Sequence, residues 1–173
     1  LCERIVQWVA REVENFPLVE IDIVDPLAFD LPSHHDPDHP AVAALSERLS
    51  RADAFILVTP EYNHSFTASL KAVIDLVYEP WHAKPVAFVC YGGISGGLRA
   101  VEQLRLVFSE LHAVTIRETV SFANPWSRFG DDGALVEPIH ARKCLLHLMM
   151  QLHWWSTALK AARTARPYRS KAA

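Results

Sequence analysis

Two short segments carry the residues best suited to gripping a ligand, and each follows an apolar run. The first is TPEYNHS at residues 59–65. Pro60 fixes its own φ and brings no amide; Glu61, Tyr62, Asn63 and Ser65 then crowd polar groups at what reads as a strand end. Strand-to-helix connections usually take roughly 2–6 residues. This one has room to offer backbone N–H groups to a planar, acceptor-rich ligand, with Tyr62 as an aromatic wall. Taken alone, it also reads as a turn with a capping Ser or Asn. The second segment, YGGISGG at residues 91–97, sets Tyr91, Gly92, Gly93, Ser95 and Gly96 ahead of a helix. Its glycines let the main chain approach a ligand closely, and the helix N-terminus adds free N–H donors and partial positive charge. The G-x-G-x-x-G dinucleotide spacing is absent, and the segment follows a late strand rather than the first. A lone glycine-rich turn is more often tight packing. Two such loops at successive strand ends specify a ligand site.

The other reactive side chains form no comparable grouping. SHHDPDHP, residues 33–40, gathers three His and two Asp, but its prolines and lack of supporting partners make it an exposed loop rather than a metal site. His82, His112, His140, His147 and His153 stand singly, with no neighbouring nucleophile or carboxylate to complete a triad. Cys90 lies inside an apolar run and reads as an inert small hydrophobe. No side chain is assigned a catalytic role, and no metal is expected.

The elements that must position these loops follow from periodicity. Leu1, Ile5, Trp8 and Val9 share one helical face. LVEIDIVD, residues 18–25, alternates like a strand with one wetter face near a sheet edge. Residues 26–40 carry four prolines, and a helix is expected over 41–51. AFILVTP, residues 54–60, reads as a strand covered on both faces, and Leu70, Val73, Ile74 and Val77 mark a helix over 69–79. PVAFVCYGG, residues 85–93, is a second buried strand, followed by a helix over 98–112 with Leu104, Val107, Phe108 and Leu111 inward. VTIRETVSF, residues 114–122, is the last strand. A long helix spans 137–165, with Leu145, Leu148, Met149, Leu152 and Trp155 as its inner stripe. Its His153 and Trp154 widen the apolar band and suit a subunit contact. Lys160, Arg163, Arg166, Arg169 and Lys171 read as a solvated basic tail. Strands and helices alternate one for one, which implies a single α/β domain over 1–173 with an open, doubly wound parallel sheet. Such sheets bind ligands at the carboxyl ends of their strands, where both loops lie.

Composition narrows the class further. The chain has 173 residues, 50% hydrophobic and 21% charged, as a globular domain does. A net charge of -3 argues against a nucleic-acid partner. No apolar run reaches the roughly 20 residues that span a bilayer. Cys2, Cys90 and Cys144 are odd in number and widely spaced, which fits a reducing cytoplasm and no disulfide framework.

The paired PEYN and YGG-x-SGG-LR motifs, and the stretch 54–122 around them, resemble the core of the NADPH-dependent FMN reductases, which include quinone, azo-dye and chromate reductases. The resemblance implies a flavodoxin-like three-layer sandwich with a five-stranded parallel sheet in the order 2-1-3-4-5. It places the FMN ring against Pro60, Glu61, Tyr62, Asn63 and Ser65, with Tyr91, Gly92, Gly93, Ser95 and Gly96 closing over the other edge. Lys71 and Asp75 match the family's LK-x-x-ID signature, which the resemblance puts at a subunit interface. Thr67 stands where many relatives have proline, a change expected to loosen the helix entry. Relatives begin with a strand and a phosphate-holding loop. Here Leu1 already opens a helix, so that strand and the FMN phosphate contacts are expected upstream of it.

The implied activity is an FMN-dependent NAD(P)H oxidoreductase, taking hydride from NADPH or NADH and passing it to a quinone, azo or similar small-molecule acceptor. A homodimer or homotetramer is expected. Two other readings stand beside it: a flavodoxin-type electron carrier, and a non-catalytic flavodoxin-like module that binds a partner protein.

Overall fold

A computed structural model describes residues 1–17, 19–34, 36, 38–130 and 132–168. Helices α1 (Cys2–Val13) and α2 (Pro40–Arg51) precede the alternating elements β1 (Phe55–Pro60), α3 (Ala68–Leu76), β2 (Pro85–Gly92), α4 (Leu98–Glu110), β3 (Val114–Ala123) and α5 (Ile139–Ala165). The strands form one parallel sheet in the order β1-β2-β3.

β2 is the axis of the molecule because every one of its side chains is apolar or small, and all eight positions are buried. Strand side chains alternate faces. Ala87, Val89 and Tyr91 therefore join one core layer with Ile5, Trp8 and Val9 of α1 and Leu145, Leu148 and Leu152 of α5. Val86, Phe88 and Cys90 join the opposite layer with Leu45 of α2, Ile74 of α3 and Leu104 and Phe108 of α4. Burying a side chain of this size contributes about 1.5–3 kcal/mol. Aromatic edges lock both layers: Trp8 meets Phe122 at 5.5 Å and Trp81 meets Phe108 at 5.3 Å, each T-shaped. The β2–β3 register slips between Val86 and Phe88, whose partners are Thr115 and Thr119. Arg105 of α4 caps the irregularity, donating to the Ile116 carbonyl at 2.6 Å and the Arg117 carbonyl at 3.0 Å.

Four expectations need correction. Residues 19–25 form no strand, so the described residues hold three strands of the expected five-stranded sheet rather than the four expected within this chain. Alternation gives a segment a preferred face, but a strand also needs a neighbour for its ladder; no other segment pairs with 19–25, and Leu18 lies outside the described residues. The third helix stops at Leu76 instead of running to 79: Val77 is extended at φ -130°, and Pro80, which has no N–H to return to the Leu76 carbonyl, belongs to a separate turn, Glu79–Trp81. Thr67 tightens the start of α3 rather than loosening it: its hydroxyl accepts the Leu70 amide at 3.3 Å, an N-cap bond. Lys160 and Arg163 are not a free tail, since both pair with Asp53 and Arg163 also donates to the Ala83 carbonyl. Arg169 and Lys171 lie outside the described residues. So do two members of the 33–40 segment; within it, His39 caps α2 by accepting the Ala41 amide at 3.2 Å. No helix is long and apolar enough to cross a membrane among the described residues.

Candidate functional site

β1 and β2 end side by side, with Pro60 opposite Tyr91 in the ladder, so both polar loops leave the same rim of the sheet. The Glu61 amide extends the pairing by donating to the Tyr91 carbonyl at 2.8 Å. Beyond it, Tyr62 and Ser65 exchange N–H···O bonds of 2.9 and 3.0 Å, with Asn63 at φ 50° and His64 at φ 68°. Two positive-φ residues inside a doubly bonded hairpin make a type I′ turn. Asn tolerates that region; His does so at a cost of order 1 kcal/mol or more. The turn leaves Tyr62 63% exposed, and the amides of Asn63 and His64 take no backbone acceptor among the described residues.

The second loop is anchored from below and open above. Its carbonyls are taken by the end of β3: the Asn124 amide donates to Gly92 at 2.8 Å and the Ser121 hydroxyl to Gly96 at 2.9 Å. Gly96 and Gly97 turn into α4 at φ 64° and 92°, and a Cβ on either would strike the sheet beneath. Gly93 differs: a Cβ there would meet nothing within 4 Å. The amides of Gly93, Ile94 and Ser95 also take no backbone acceptor among the described residues. Among the described residues the rim thus carries two sets of N–H groups without backbone acceptors, and the position of a Gly93 Cβ is open.

Glu61 joins the loops to each other. Its carboxylate accepts the Ser95 hydroxyl at 2.6 Å, the Arg99 amide at 3.0 Å and the Arg99 guanidinium at 3.2 Å, with its side chain only 7% exposed. Burial pushes the Glu61 carboxyl up, but the Ser95 hydroxyl and both Arg99 contacts outweigh it and hold it below the ordinary carboxylate range. Tyr91 contributes main chain to the rim, because its ring turns down into the α1–α5 layer and is 7% exposed. Burial raises its phenol, and Cys2 and Tyr62 add to that. On the opposite face of β2, burial pushes the Cys90 thiol up to about 12.

All ten residues singled out from the sequence therefore gather at this rim, but they divide by role. Pro60 and Tyr91 close the ladder, Glu61 and Ser95 clasp the loops, and Ser65 and Gly96 are held by neighbours. Tyr62, Asn63 and Gly93 face open space or carry unpaired amides, while Gly92 packs against Glu61, where an added Cβ would lie 3.2 Å from the Glu61 Cβ. Arg99 closes the YGG-x-SGG-LR motif without having been given a role, and sequence reasoning missed Gln103, which with Arg99 touches the first loop from one face of α4, and Asn124, whose amide anchors the second. Spacing of four along a helix puts Arg99 and Gln103 together, but only the packing shows what they face.

The site offers main-chain N–H donors along one rim, an arrangement that can bind and orient a ligand. The family profile described as NADPH-dependent FMN reductase matches residues 1–127. An NAD(P)H-dependent FMN reductase of Saccharomyces cerevisiae is 32% identical over 130 residues, 64% of this chain and 68% of that protein. An NADPH:quinone oxidoreductase of Arabidopsis thaliana is 32% identical over 127 residues, 70% of this chain and 64% of that protein. In three dimensions the chain is similar to the flavoenzyme NAD(P)H:(acceptor) oxidoreductase of Paracoccus denitrificans, with a TM-score of 0.74, 21% identity, and coverage of 91% of this chain and 90% of that one. That likeness establishes a flavodoxin-like α/β fold, and the profile match over most of the sequence places the chain in the NADPH-dependent FMN reductase family.

Proposed function

We propose that this chain is an FMN-dependent NAD(P)H oxidoreductase whose acceptor is a quinone or a similar small planar molecule. The bound FMN would supply the chemistry, taking hydride from NADPH or NADH and giving up electrons to the acceptor. The protein's share is to bind, orient and shield. The amides of Asn63, His64, Gly93 and Ile94 are suited to the acceptor-rich edge of a flavin, and Tyr62 to its face. The observation that carries this reading is that a Cβ on Gly93 would enter open space, on a rim whose two loops carry five amides without backbone acceptors among the described residues. Exposed apolar side chains from three strand-end segments, Tyr62, Ile94 and Trp126, suit an apolar acceptor approaching the same rim.

A homodimer fits two exposed surfaces. The Lys71–Asp75 pair lies on the outside of α3, and Met150, His153 and Trp154 line a shallow apolar depression on the outer face of α5. Three free cysteines fit a cytoplasmic location.

The test is a visible spectrum of the full-length protein, followed by NADPH oxidation with a benzoquinone acceptor. Stoichiometric flavin and acceptor-dependent oxidation are expected. Retained flavin without NADPH oxidation would assign an electron carrier instead, and no flavin at saturating FMN would overturn the site.

A further inference from the structure

The type I′ turn at Asn63–His64 holds two non-glycine residues at positive φ, closed within the loop by the paired Tyr62–Ser65 backbone bonds. A second restraint comes from α4. Gln103 donates to the His64 carbonyl at 2.6 Å and accepts the Ser65 hydroxyl at 2.7 Å, so one amide group grips two consecutive residues of the turn with opposite polarity. One helical turn earlier, Arg99 holds Glu61 at the other end of the same loop through its amide and its guanidinium. The loop is thus clamped at 61 and at 64–65 by two residues four apart on one helix face. The helix that clamps it begins directly after the glycine loop.

We propose that Glu61 and Gln103 are positioning residues: through them α4 sets the aim of the first loop's free amides relative to those of the second. The proposal rests on the reading of this rim as the flavin site. An amide displaced by a few tenths of an ångström, or turned off line, loses much of its hydrogen bond. A loop carrying two positive-φ non-glycine residues would relax if its outside restraint were removed. Glu61 contributes no atom to the ligand in this scheme. Its buried carboxylate is already satisfied, and its effect passes through Ser95 and Arg99.

The experiment uses the full-length protein with Gln103→Ala, Gln103→Glu, Glu61→Gln and, as control, Glu102→Ala, whose side chain is exposed on the same helix. Two readouts are taken: FMN affinity by quenching of flavin fluorescence, and hydrogen exchange of the Ser65 amide in the flavin-free protein. Gln103→Ala is expected to weaken FMN binding roughly fivefold to tenfold and to speed Ser65 exchange by a similar factor. Gln103→Glu keeps the acceptor for Ser65 but loses the donor to His64, so it should behave like Gln103→Ala. Glu61→Gln should weaken FMN comparably. The double variant should lose less than the product of the two, since both act on one loop. Glu102→Ala should match wild type in both readouts.

Gln103→Ala binding FMN within twofold of wild type, or leaving Ser65 exchange unchanged, overturns the proposal. If wild type itself takes up no FMN, the flavin reading fails separately. The exchange measurement then still decides whether α4 sets the loop.

Discussion

A Cβ on Gly97 would lie 2.6 Å from the backbone nitrogen of Tyr91, and Gly97 itself holds φ 92°. The end of β2 and the start of α4 therefore touch main chain to main chain, and no side chain fits between them. Gly97→Ala should cost about 2–4 kcal/mol and lower Tm by roughly 5–15 °C, read by thermal unfolding of the flavin-free protein. A loss under 1 °C would mean that the loop can back away from the sheet.

Gly93 gives the opposite outcome. Nothing in the chain lies within 4 Å of a Cβ there, and its φ is not in the left-handed region. Gly93→Val should melt within about 2 °C of wild type yet lose its yellow colour, because the added side chain would enter the space proposed for the flavin. Stoichiometric flavin in the purified variant would refute the close approach proposed for this residue.

Lys84 sits at the far end of β2, 7% exposed, donating to the carbonyls of Leu49 at 3.2 Å and Ser50 at 2.9 Å. Burial, then Arg163, pushes it down to about 8, against the pull of Asp53. Below that value the folded state carries a charge it disfavours; between about 8 and the ordinary 10.5 the unfolded chain holds the extra proton. Stability therefore rises with pH across that window, by up to about 1.4 kcal/mol per unit. Urea unfolding of wild type minus Lys84→Met, from pH 7.5 to 10, should show this slope, with the other titrating groups cancelling. A flat difference would mean Lys84 is solvated.

Glu61 works in the other direction. Its folded-state value is depressed, so its contribution is complete above the ordinary 4.5 and disappears as pH falls below it. Wild type should exceed Glu61→Gln in Tm at pH 7, and the gap should close progressively as pH falls below the ordinary 4.5. A gap independent of pH would show that the charge of the clasp is irrelevant.

What could be read from the residues alone divides by the distance over which each signal acts. PVAFVCYGG reveals a central strand because no water-facing residue interrupts it, and α5 reveals its inner face because Leu145, Leu148 and Leu152 repeat at helical spacing. Both loops could be located because each begins where an apolar run ends. Residues 19–25 misled because alternation reports a face and says nothing about a ladder neighbour. The Asn63–His64 turn was hidden because its second position lacks the glycine that normally marks a type I′ hairpin. The burial of Lys84, beside Pro85, carries no local sequence signal; the carbonyls at the end of α2 make it tolerable. Gln103 was invisible for the same reason: its meaning lies on another element.

Cys90 also bears on how the protein would age. A reduced flavin meeting dioxygen makes peroxide, and peroxide attacks thiolates. With burial pushing its thiol up to about 12, Cys90 stays in the unreactive protonated form at neutral pH, and it faces the interior. The strand beneath the rim should therefore be spared that damage and stay intact through many turnovers.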